Sequence, residues 1–99
     1  MLSRKSYCKK IINRALMENS VDSPEDLVPM IYGSTTLGIA LETLGYITKD
    51  NHPMEYRYLQ SRAGLFETYS EKTENGVKVE ILTLREFLDL LPEEVTNEN

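Results

Sequence analysis

Reactive side chains are scarce in this chain. It holds one cysteine, one histidine and no tryptophan among 99 residues. With Cys8 alone, no internal disulfide and no thiolate metal cluster can form within one chain. One histidine and one cysteine cannot fill a tetrahedral zinc site. Nucleophilic catalysis needs a nucleophile, a base and a group that orients the base. The only pairing on offer is Cys8 with His52. Cys8 falls on the apolar face of a predicted helix and His52 in a polar loop beside Pro53, so a packed thiol and a solvated imidazole are the simpler reading. Glycines 33, 38, 45, 64 and 76 occur singly, with no glycine-rich loop to cradle a phosphate. Asp22, Glu25 and Asp26 are split by Ser23-Pro24, a helix start instead of a calcium loop. No catalytic, cofactor or metal set is expected, and the chain reads as a non-enzyme.

Long apolar runs are missing too. Nothing approaches the roughly 20 consecutive apolar residues of a membrane span, and no signal-peptide core follows the basic N-terminus. The lone cysteine fits a reducing compartment, and a cytoplasmic location is expected.

Cations are sparse after position 14. Residues 1–14 carry Arg4, Lys5, Lys9, Lys10 and Arg14 and no acid, whereas the rest holds sixteen acidic and six basic residues. The net charge of −5 favours solubility and disfavours general affinity for nucleic-acid phosphates.

The elements follow from caps and periodicity. Ser3 caps a helix to about Asn19 that gathers Tyr7, Cys8, Ile11, Ile12, Ala15 and Leu16 on one face. Ser23-Pro24-Glu25-Asp26 starts a second helix that Pro29 shortens or kinks before Gly33. Ser34 starts a third, with Leu37, Ala40, Leu41 and Leu44 inward and Gly45 as its left-handed end. Tyr56-Arg57-Tyr58-Leu59 alternates like a strand, although Pro53 equally suits a helix through Ala63; the strand is the preferred reading. Asn75-Gly76 predicts a hairpin turn joining strands near Phe66–Glu74 and Val77–Thr83, with Tyr69 opposite Leu82 and Ser70 opposite Ile81. Thr83-Leu84-Arg85-Glu86 is a capping box for a last helix, with Leu84, Phe87, Leu88, Leu90 and Leu91 apolar and Pro92 as its stop.

The expected architecture is a single α+β domain over residues 1–92: three helices, an antiparallel hairpin or three-stranded meander, and a closing helix. Residues 93–99 are expected as a flexible acidic tail. Leu41-Glu42-Thr43-Leu44-Gly45-Tyr46-Ile47 resembles the end of a recognition helix in winged-helix regulators, over roughly residues 24–84. That resemblance implies a DNA-binding transcriptional regulator, with Lys5, Lys9, Lys10 and Arg14 touching the backbone. The pattern departs from it at Pro29, inside the supporting helix, and in a third helix without Arg, Lys, Asn or Gln to read bases.

A protein partner, or a second copy of the chain, is the favoured target. Thr35, Gly38, Ile39 and Glu42 share the outer face of the third helix, and an exposed Ile39 there would call for a covering partner. Tyr56 and Tyr58 extend that interface, and together with Tyr69, Arg57 and Arg62 they also suggest base stacking, which the acidic surroundings oppose. The expected role is a small acidic regulator or inhibitor acting by covering a partner, of the kind phages and mobile elements encode.

Overall fold

The computed structural model describes residues 2–62, 68–72 and 79–94, with backbone alone for 68–72 and 79–82. Helix α1 is Arg4–Asn19, a 3₁₀ helix η1 is Pro24–Gly33, α2 is Thr35–Thr43, α3 is Pro53–Arg62 and α4 is Leu84–Leu90. Two five-residue strands, β1 (Thr68–Lys72) and β2 (Val79–Thr83), pair antiparallel.

The α+β expectation is corrected. The described residues are mainly helical, and every described core residue lies on a helix or, for Ile47, in the loop behind α2. The described strands form one two-stranded ladder, and no meander joins it among the described residues. Its backbone register sets Tyr69 against Leu82 and Ser70 against Ile81, while the Asn75-Gly76 turn lies outside the described residues.

The strand expected at 56–59 is helix α3. Pro53 stands at its first position, where a missing N–H costs nothing, and Glu55 sits in its positive first turn. Four alternating residues fit both periods, so tertiary contact decides. Leu59 is the fully buried residue of α3, with Tyr56 and Tyr58 partly buried beside it.

Caps define the ends of the other helices. The Ser6 N–H donates to Ser3 Oγ at 3.0 Å while the Ser3 N–H donates to Ser6 Oγ at 3.3 Å, a reciprocal box. Thr83 and Glu86 repeat it on α4 at 3.0 Å in both directions. Ser34 Oγ accepts from Leu37 N–H, and Gly45, at φ +88°, closes the far end of α2. Ile47, not the half-exposed Tyr46, then packs into the core.

Pro29 tightens η1 instead of ending it. With 3.0 residues per turn, side chains three apart align in rows. Val28 and Ile31 form a buried row, while the row from Leu27 through Met30 to Gly33 runs from the core to the surface.

Helix α2 is the hub, in contact with α1, η1, α3 and α4. Five of its nine residues, Leu37 to Leu41, are buried. A helix apolar nearly all round belongs inside a fold, which removes the winged-helix reading: the segment expected to read DNA is the centre of the core.

The termini clasp each other. Arg4 Nε donates to the Leu88 carbonyl at 3.0 Å and its Nη2 to the Leu91 carbonyl at 3.1 Å, satisfying the open end of α4. In the same direction, the Arg4 N–H donates to the Pro92 carbonyl at 2.7 Å and the Lys5 N–H to that of Glu93 at 3.2 Å. The tail expected to leave the fold at Glu93 is therefore held through Glu94, which pairs with Lys5; residues 95–99 lie outside the described residues.

Candidate functional site

The outer face of α2, expected as an interface, is closed. Ile39 is 0% exposed. At Gly38 a Cβ would stand 2.5 Å from Leu59 Cδ2 and 3.2 Å from Ile31 Cβ, so the missing side chain is what admits α3. Glu42 joins three helices: its carboxylate accepts from Arg85 Nη2 at 2.7 Å and from Gln60 Nε2 at 2.9 Å. Thr35 is only partly exposed. The lack of Arg, Lys, Asn and Gln on α2, noted above as a departure from a DNA-reading helix, goes with burial of Leu37 to Leu41.

Tyr56 and Tyr58 are half-buried against the core. Tyr58 meets Tyr32 at 4.6 Å between ring centroids, and the Arg62 guanidinium lies 4.9 Å from its centre. Partial burial, then the neighbouring Glu55 carboxylate, push the Tyr32 hydroxyl above its ordinary range. A stack already filled by its own rings and arginine, with a carboxylate beside it, suits surface packing better than base binding. The Tyr69 side chain lies outside the described residues.

Cys8 is fully buried, and burial pushes its thiol up, against a hydrogen bond with Thr43 and the Arg4 charge. That is the reverse of an activated nucleophile. His52 instead meets Glu25, Nε2 to Oε1, at 2.9 Å near the start of η1. The two are not brought together. No group of three metal-binding side chains occurs among the described residues, and none of the described helices is long and apolar enough to cross a membrane.

The five cations of α1 divide in two. Arg4 and Lys5 are tied to the C-terminal segment, and the Glu94 carboxylate raises the Lys5 ammonium through a hydrogen bond and its charge. Lys9, Lys10 and Arg14 stay in solvent. Two of them edge a feature that sequence reasoning missed, an open groove of about 760 Å³ between α1 and the η1–α2 junction. Its apolar surface comes from Tyr7, Ile11, Ala15, Met30 and Leu37; Lys10, Arg14, Glu18 and Asn19 edge it along α1, with Gly33, Ser34 and Thr36 opposite. Tyr7 also packs edge-on against Phe87 at 5.3 Å. A trace of the groove was present in the sequence: Tyr7, Ile11 and Ala15 recur along one flank of the α1 stripe, wider than the two residues, Cys8 and Ile12, that the helix buries fully.

In comparisons with known proteins, no family model, no curated protein and no solved structure matches this chain.

Proposed function

We propose that this chain is a non-enzymatic protein-interaction domain, a small acidic regulator or inhibitor that works by engaging a protein partner through the α1/η1–α2 groove. One observation carries the reading: an open, apolar-floored groove in which Met30 is 36% exposed and Ile11 and Ala15 only partly covered. A concave apolar floor edged by charged and polar side chains is the shape that receives an apolar anchor of a partner at the core of an interface. The buried thiol and the separate engagements of Cys8 and His52 favour a binding role over nucleophilic chemistry.

Photo-cross-linking tests it. Benzoylphenylalanine at position 30, in the groove, is compared with the same group at position 54, where Met54 is 67% exposed on α3. In the native cell, a discrete adduct with another protein is expected from position 30 and not from 54. Equal labelling from both positions, or labelling from 54 alone, overturns the assignment.

A further inference from the structure

We infer that the groove receives an acidic amphipathic α-helix of the partner protein, its aliphatic side chains on the Ile11–Met30–Leu37 floor and its carboxylates over Lys10 and Arg14. This rests on the groove being a protein-binding surface and names the occupant.

The backbone around the groove selects a helix over an extended segment. Its lining residues stand on α1, η1 and α2 or at the cap between them. The amides and carbonyls along the α1 wall lie within one helix, and the opposite wall is a helix junction without a strand edge, so an added strand would find no ladder to join. A helix satisfies its own backbone and needs only side-chain contact. The length fits: Tyr7 to Asn19 spans about 18 Å along α1, matching about twelve residues of a partner helix.

Edge chemistry argues against a small molecule. Such sites enclose their ligand and fix it with a few placed polar groups. Here Lys10, Arg14, Glu18 and Asn19 are all exposed at the border.

Charge selects the sign. Lys10 and Arg14 lie four apart on one edge, the spacing that meets carboxylates four apart on a facing helix. Lys10 has no ion-pair partner among the described residues. Arg14 touches Glu18 at 3.7 Å with the two side chains 80% and 68% exposed. Exposed pairs of this kind are weak, so a partner carboxylate can displace Glu18. Because residues 1–14 hold no acid while the chain is −5 overall, an acidic helix is repelled elsewhere and steered to α1.

The test is selection from a displayed library of amphipathic helices, aliphatic at i, i+3, i+4 and i+7, with Glu, Lys or Gln free at the polar positions, on the immobilised full chain. Winners are expected to carry paired Glu four apart. The best, as a labelled peptide, should bind at least about tenfold more tightly than its Glu→Gln twin. Lys10→Glu with Arg14→Glu should weaken it by a similar factor, and Met30→Glu should block it, with thermal midpoints within about 2 °C of the parent. Enrichment of Lys, or no charge bias among helices that Met30→Glu still excludes, overturns this inference and leaves the groove a protein site. Self-association abolished by Met30→Glu also overturns it, making a second copy the occupant. No selected helix, with the position-30 adduct retained, means a non-helical partner. Loss of both helix and adduct ends the proposed function as well.

Discussion

The closed and open sides of this molecule use similar residues to opposite ends. On the closed side, where α2 meets α3 and α4, an isoleucine, a glycine and a glutamate form a sealed seam: Ile39 is buried, Gly38 takes Leu59 against its backbone, and Glu42 accepts from Gln60 and Arg85. On the open side, where α1 meets η1, Ile11, Met30 and two cations border a groove with nothing laid across it among the described residues. Apolar residues with charged neighbours occur on both sides. What separates them is how closely the elements approach. Gly38 lets α3 close on α2, whereas Met30 and Gly33 of the tightly wound η1 stand across the groove from α1.

The contrast is open to direct attack, most severely at Ile39. Ile39→Asp places an unpaired charge in a fully buried position, with an expected loss of more than about 4 kcal/mol and of a cooperative thermal transition. A folded variant with a near-normal midpoint by circular dichroism would mean the seam is open.

Arg4→Ala comes next. It strips donors from the Leu88 and Leu91 carbonyls, and an expected cost of about 1–3 kcal/mol should appear in denaturant melts. Arg4→Lys should restore only part of it, because an ammonium lacks the guanidinium fork. Equal stability of all three chains would remove the clasp from the account.

Gly38→Ala probes the crossing itself. Overpacking against Leu59 costs about 1–3 kcal/mol, offset by up to about 1 kcal/mol of better helix propensity. The sharper readout is coupling: the alanine should be tolerated better in a Leu59→Ala background, and strictly additive effects would place the close approach elsewhere.

On the open side, Lys10→Glu with Arg14→Glu should shift stability by less than about 0.5 kcal/mol, since neither cation is buried. A large loss would show that they hold the fold instead of a ligand.

The smallest effect concerns Lys5 and Glu94. The Lys5 ammonium holds the Glu94 carboxyl below the usual carboxylate range, by a hydrogen bond and then by charge. A depressed carboxyl stabilises above its unfolded value and loses that contribution as pH falls through the folded one. Lys5, raised, loses its contribution only as pH rises through its own elevated value. The tether should therefore persist through neutral pH and fail at either extreme. By NMR titration, Glu94 should move back up in Lys5→Ala; an unmoved value would mean the pair is absent in solution.

Local chemistry was largely readable in advance. The caps at Ser3, Ser34 and Thr83, the left-handed Gly45 and the α1 face with Cys8 and Ile12 at its centre follow from interactions within a few residues. Errors arose where a short stretch suits two structures or where burial depends on a distant element. Tyr56-Arg57-Tyr58-Leu59 fits either period until Leu59 finds Gly38. Leu90, counted in the apolar face of α4, is 72% exposed because that short helix buries only Leu84 and Leu88 fully. Of the basic set, Lys5 is engaged with Glu94, 89 positions away.

The groove was the least legible feature. Its walls come from residues 7–19 and 30–37, and only their relative placement creates a concavity. The sequence by itself determined the caps that start α1, α2 and α4, the presence of one cysteine and one histidine, and the acid-free cluster of five cations in residues 1–14, because each depends on composition or on neighbours one turn away. Tertiary structure alone decided which apolar face is sealed, which cations remain available and where a partner has room, because packing is set by how residues far apart in the chain fit around one central helix.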